Sequence, residues 1–188
     1  WSSDVCSSDL GSPGFSTGGA DFNSLALHPT TGTPYVAFYT LKAIVMTFNG
    51  TAWSEVGSAG SAGSSASAYL SLALEPTTGA PYLAYRDAGN SNKATVSTFS
   101  GNAWSTVRSS GVSVGGADYT SLALHPSTRL PYLAYMDGGN SNKATVMTFG
   151  YPSPPPPSPS PRAPPPPPQT HTPPPPPHNP PPPPPPPP

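Results

Sequence analysis

Apolar residues fall in short runs between residues 14 and 150, among them SLAL, PYVAFY and KAIVMTF, parted by clusters of Gly, Pro, Asn, Ser and Thr. No window carries them at the period of an amphipathic helix, so the runs predict strands. A first strand, SLAL, is stopped by HPTTG or EPTTG, where Pro fixes φ and Gly supplies a positive φ. A second, PYVAFY or PYLAY, opens on Pro34, Pro81 or Pro131, at the strand position where a missing N–H is tolerated. A third, KAIVMTF or KATVSTF, is rich in β-branched residues. A fourth, AWSEV or AWSTV, follows Asn49-Gly50 or Ser100-Gly101-Asn102, which are hairpin signals.

These strands belong to a repeat. The SLAL segment starts at Ser24, Ser71 and Ser121, at offsets of 47 and then 50 residues. The shorter first copy reads AFYTLKAIVMTF where the second reads AYRDAGNSNKATVSTF, a loss of four residues between strands. GFSTGGADFNSLAL before the first copy matches VSVGGADYTSLAL before the third, so the register begins near Gly14. Self-similarity at this period points to units that each bury their faces against a neighbour.

The side chains narrow the architecture. In the third strand one face carries Ala43, Val45 and Thr47 and the other Ile44, Met46 and Phe48, so neither face reads as solvated. A sheet apolar on both sides belongs between two others. Small residues recur at Ala26, Ala73 and Ala123, and at Ala37, Ala84 and Ala134, as crowding toward an axis requires. The fold class expected is all-β: a partial β-propeller of about three four-stranded antiparallel blades, over about 14–56, 57–107 and 108–150. The third copy passes from Phe149-Gly150 into prolines without its Trp strand, and a propeller needs about four to eight blades. The incomplete ring leaves exposed terminal edges that invite edge-to-edge self-association.

The SLAL-P-TG-PYLAY-D-GNSNKATV-F-G-AW pattern resembles the tandem units of large extracellular β-propeller proteins and, more distantly, kelch and sialidase-type propellers. The sialidase S-x-D-x-G-x-x-W box is missing, and the kelch glycine pair is matched in part by Gly138-Gly139. The resemblance implies fold and an extracellular setting, not an activity.

Of 33 prolines, 26 lie in residues 151–188, which read as an extended polyproline II stalk, a disordered tail with nothing to bury. Its Ser-Pro texture resembles the hydroxyproline-rich glycoproteins of plant and algal cell walls, pherophorin and extensin types among them, which implies wall or matrix residence and O-glycosylation. Residues 1–13 read as a non-domain segment. The opening WSSDVCSSDL resembles translated sequencing-adapter sequence, which would set Cys6 outside the natural protein. With Trp at position 1 and no signal stretch after it, the natural N-terminus is expected to lie elsewhere, and the chain to be a fragment.

Charge is sparse and balanced. The body carries Lys42, Arg86, Lys93, Arg108, Arg129 and Lys143 against Asp21, Glu55, Glu75, Asp87, Asp118 and Asp137. Without a basic cluster, neither nucleic acid nor an anionic membrane is an expected partner, and no apolar run is long enough for a membrane helix.

Candidate chemistry is thin. The DxGNSNK loops could offer Ca²⁺ oxygens from Asp87, Asn90 and Asn92, and from Asp137, Asn140 and Asn142. The stronger reading is a turn, because Asn, Ser and Gly suit one and the first copy omits the loop. His28 and His125 share a repeat position with Glu75 and could form a ring of ligands or a general base, against a simpler reading as an exposed turn. Trp53, Trp104 and the Tyr pairs 35/39, 82/85 and 132/135 could stack on sugars, although their phase with the strands favours packing. No cofactor is implied. Near-identical units count against catalysis, which needs different residues in different roles.

Three classes of function remain. The favoured one is a non-enzymatic extracellular or cell-wall binding or structural module, with a glycan or a wall or matrix protein as partner. The second is an intracellular scaffold whose polyproline recruits profilin, SH3 or WW domains. The third is a fragment of a propeller-fold glycosidase or lyase with its catalytic residues in missing blades.

Overall fold

Within each copy the strands are joined by turns too short for a crossover, so they pair as antiparallel meanders. The computed structural model describes residues 9–58, 62–63 and 67–150, together with Pro184. Blade 1 runs β1 (Asp21–Leu27), β2 (Pro34–Tyr39), β3 (Ala43–Phe48) and β4 (Trp53–Glu55) in that order across the sheet. Blade 2 repeats it with β5 (Ser67–Leu74), β6 (Pro81–Asp87), β7 (Lys93–Phe99) and β8 (Trp104–Thr106). Blade 3 has β9 (Ala117–Leu124), β10 (Pro131–Asp137) and β11 (Lys143–Thr148). Helix is confined, among the described residues, to 3₁₀ turns at Ala88–Asn90 and Gly138–Asn140. The segment 1–8 and the proline-rich tail, Pro184 apart, lie outside the described residues.

The first strands of successive blades lie side by side, β1 against β5 and β5 against β9. Each junction repeats one hydrogen bond: Leu72 N–H donates to Ser24 Oγ at 2.9 Å, and Leu122 N–H to Ser71 Oγ at 2.9 Å. Meandering sheets stacked through their first strands are propeller blades, so the fold is all-β, a partial propeller whose described residues form two four-stranded blades and one three-stranded blade.

The core lies between blades rather than within them. Ala37, Ala43 and Val45 on the back of blade 1 meet Leu70, Leu72, Leu83 and Tyr85 on the front of blade 2. Ala84, Ala94 and Val96 then meet Ala117, Leu122, Leu133 and Tyr135 of blade 3. Small residues on one face admit large ones from the next, which is why both recur in phase with the repeat.

The expectation of two covered faces holds for blade 2 and for the third strand of blade 1, where no residue from Ala43 to Phe48 is exposed, and fails at the first strand of blade 1 and on the back of blade 3. Val96 is 1% exposed whereas its counterpart Val146 in blade 3 is 67% exposed; Leu72 is 6% exposed whereas Leu25 in blade 1 is 66% exposed. Among the described residues, no neighbouring sheet covers the back of blade 3 or this part of the front of blade 1.

Each first strand carries a β-bulge. Phe22 and Asn23 oppose Phe38, Tyr69 and Leu70 oppose Tyr85, and Tyr119 and Thr120 oppose Tyr135. The bulge puts Phe22, Tyr69 and Tyr119 at φ of 55°, 52° and 52°.

Candidate functional site

Left-handed backbone is unfavourable for an aromatic residue, at roughly 1–3 kcal/mol each. Here it recurs in all three blades and brings three rings into one row. Phe22 and Tyr69 have ring centroids 5.0 Å apart, and Tyr69 and Tyr119 4.7 Å apart. The row lines a groove of about 280 Å³ with Asn23, Leu70 and Thr120. Phe22 is 41% and Tyr119 67% exposed, and successive rings are tilted by 54° and 48°. Polar groups flank them. The Arg86 guanidinium lies 5.0 Å from the centre of the Tyr69 ring and pairs with Asp118 at 2.7 Å. The Thr120 hydroxyl donates to the Tyr69 carbonyl, and Asn23 Nδ2 donates to the Ala20 carbonyl at 3.0 Å.

Strand and hairpin signals in the sequence single out the Trp and Tyr residues of the other strands rather than this row. Its signal was there: an aromatic stands two places before Ser24, Ser71 and Ser121 in every copy.

The Asp87 and Asp137 carboxylates turn inward and close their hairpins. Asp87 Oδ1 accepts from Gly89 N–H at 3.1 Å, and Oδ2 accepts from Asn90 Nδ2 at 2.8 Å and Thr95 Oγ1 at 3.1 Å. Asp137 accepts from Gly139 N–H at 3.0 Å and Thr145 Oγ1 at 2.9 Å. Ser91 and Asn92 then take φ of 57° and 59°, and Ser141 and Asn142 φ of 55° and 58°. Asn140 ends the second 3₁₀ turn, in the place of Asn90. Both carboxylates are buried and committed to their own loops. In blade 1, which lacks the loop, Thr40 and Ile44 stand where Asp87 and Thr95 stand in blade 2. The polar pair is replaced as a pair.

The position shared by His28, Glu75 and His125 is a turn cap. His28 Nδ1 accepts from the N–H groups of Thr30 and Thr31, each at 3.3 Å, and His125 Nδ1 from Ser127 at 3.2 Å and Thr128 at 3.1 Å. Glu75 Oε2 accepts from Thr77 N–H at 3.1 Å, from Thr78 N–H, and from Thr78 Oγ1 at 2.6 Å. An imidazole nitrogen and a carboxylate oxygen are interchangeable here because either can accept two backbone donors.

The expectation of an exposed turn is corrected at Glu75, which is buried where the turns of adjacent blades meet. Gly79 abuts the His28 ring, and Arg129 Nε lies 3.8 Å from Glu75 Oε1, an atom with no hydrogen bond among the described residues. The hydrogen bond from the Thr78 hydroxyl, foremost, holds the Glu75 carboxyl below its ordinary value, against the effect of burial. Burial pushes the Tyr85 and Tyr135 hydroxyls up.

Trp53 and Trp104 take part in packing. Trp104 Nε1–H donates to the Val56 carbonyl at 2.7 Å, and Trp53 Nε1–H to that of Leu10 at 2.8 Å. Phe15 stacks on Trp53 with centroids 4.5 Å apart. Tyr85 and Tyr135 are buried between blades, while Tyr132 is exposed.

No family model and no curated protein matches the sequence. Among solved structures, a thermostable family-43 glycoside hydrolase is similar at 11% identity and a TM-score of 0.44, over 69% of this chain and 47% of that one. A fucose lectin from Kordia zhangzhouensis, in complex with methyl-fucoside, is similar at 12% identity and a TM-score of 0.43, over 67% of this chain and 90% of the lectin. The chain thus spans about half the length of the hydrolase.

Proposed function

We propose that this chain is a non-enzymatic extracellular binding module, in which the Phe22, Tyr69 and Tyr119 row is a stacking surface for a carbohydrate and the proline-rich segment is a wall or matrix stalk. The observation that carries the reading is the row itself: three aromatic rings held in left-handed backbone, two of them well exposed, beside Arg86 and Asp118. Backbone strain kept at every copy of a position needs a compensating use. Exposed aromatic rings edged by hydrogen-bonding groups suit a sugar ring, whose C–H faces pack on aromatics and whose hydroxyls need polar partners.

The test is retention on an array of plant, algal and bacterial wall glycans, followed by titration of any hit. Tyr119→Ala is expected to weaken binding by tenfold or more, on the order of 1.4 kcal/mol, without lowering the unfolding midpoint. Absence of retention on every glycan, or a Tyr119→Ala protein that binds as wild type does, overturns the reading.

A further inference from the structure

We propose that two copies of this chain associate head to tail, the open back of blade 3 in one copy receiving the front of blade 1 of the other. The junction between blades 2 and 3 shows what such a contact requires. Besides Leu122 N–H to Ser71 Oγ, it holds Val112 N–H to the Ala94 carbonyl at 2.8 Å and Ala94 N–H to Ser113 Oγ at 2.9 Å. It also holds Ala117 N–H to the Asn92 carbonyl at 2.9 Å and Gly111 N–H to Thr95 Oγ1 at 2.9 Å. Ala84, Ala94 and Val96 supply its apolar floor.

Every one of those groups has a counterpart on the two open faces. Blade 3 offers Ser121, Asn142, Ala144 and Thr145 where blade 2 offers Ser71, Asn92, Ala94 and Thr95, with Ala134 and Val146 for the floor. Blade 1 offers Gly14, Phe15, Ser16, Ala20 and Leu25 where blade 3 offers Gly111, Val112, Ser113, Ala117 and Leu122. Apart from the fourth strand, which blade 3 lacks among the described residues, the receiving surface therefore repeats one already covered inside the chain, and the incoming surface repeats that of blade 3.

The incoming segment is also preformed. Ser16 Oγ donates to the Gly18 carbonyl at 2.8 Å just as Ser113 Oγ donates to that of Gly115 at 2.6 Å. The front of blade 1 thus holds, with no sheet against it, the loop shape that blade 3 uses against blade 2. Preorganisation of this kind reduces the ordering cost of association. The contact joins two different faces, so each copy keeps one free unless a ring closes. It would place the second copy's Phe22 beside Tyr119, extending the aromatic row across the junction.

The full chain is examined by sedimentation equilibrium at concentrations up to about 100 μM, beside Leu25→Asp and Val146→Asp, both at exposed positions where the fold is expected to survive. Wild type is expected to exceed the monomer mass of 19.2 kDa, and each variant alone to stay at it. Mixed in equal amounts, the variants should form a species of twice that mass, because one retains an intact blade 3 and the other an intact blade 1. A monomeric wild type, a variant that self-associates, or a mixture that stays monomeric overturns the proposal.

Discussion

Thr95 donates its hydroxyl to the buried carboxylate of Asp87 at 3.1 Å, and Thr145 stands to Asp137 in the same way at 2.9 Å. Each pair ties the third strand of its blade to the loop that precedes it. The Asp87 carboxylate also holds the Gly89 N–H and the Asn90 amide. Asp87→Ala removes the acceptor from several donors at once and is expected to destabilise the protein by about 2–4 kcal/mol, read from urea unfolding midpoints. Asp87→Ala with Thr95→Ile, which copies the apolar choice of blade 1 at Ile44, should recover part of that loss. A double variant no more stable than Asp87→Ala would show that the exchange is not a matched one.

Leu72 and Leu25 occupy the same place in successive repeats, yet only Leu72 has a sheet against it. Leu72→Ala should cost about 2–4 kcal/mol through lost burial and a residual cavity. Leu25→Ala should change the unfolding free energy of dilute protein by no more than about 0.5 kcal/mol. Equal losses would mean that the front of blade 1 is covered in solution even when dilute.

A Cβ on Gly115 would lie 2.2 Å from the Gly139 nitrogen and 2.6 Å from its Cα, both backbone atoms that cannot swing aside. Gly18 is the counterpart of Gly115 in blade 1, where the opposing loop is missing, and a Cβ there meets nothing within 4 Å. Gly115→Ala is expected to lower stability by about 1–3 kcal/mol and Gly18→Ala to leave it nearly unchanged, as thermal unfolding would report.

Glu75 makes stability depend on acid. Its folded-state carboxyl lies below the ordinary value of 4.5, so the folded protein binds its proton less readily than the unfolded chain does. The resulting stabilisation is complete above about 4.5 and is lost as pH falls through the lower, folded-state value. Glu75→Gln should therefore be less stable than wild type near neutrality, with the gap closing below about pH 4. Urea titrations of the two proteins across that range supply the check, since every other titrating group is common to both. A gap that stays constant would remove the carboxylate from the account.

Much of the fold was legible because the repeat restates its own punctuation. Pro34, Pro81 and Pro131 each open a second strand, and the SLAL runs fall within β1, β5 and β9. The covered faces were legible for the middle copy and for β3 of the first, but not for the first strand of blade 1 or the back of blade 3, since alternation along a strand cannot say whether a neighbour is present. Val96 and Val146 sit in nearly identical sequence and differ entirely in exposure. The candidate site was hidden for another reason. Propensity places Phe22, Tyr69 and Tyr119 in extended backbone, and a bulge becomes visible only once the partner strand fixes the register. The turn caps were half legible. The shared position was plain, but the equivalence of His28 and Glu75 emerges only from which atoms accept the hydrogen bonds.

Because the apolar floor of each sheet is finished by the sheet that follows, the cooperative unit here is the junction and not the blade. Such an array behaves as a one-dimensional lattice with nearest-neighbour coupling, in which the interior member opens last and the outer two fray first. Backbone amide exchange should then be slowest in β6 and β7. The same coupling makes length adjustable, because one more copy adds one more junction and leaves both ends chemically as they were.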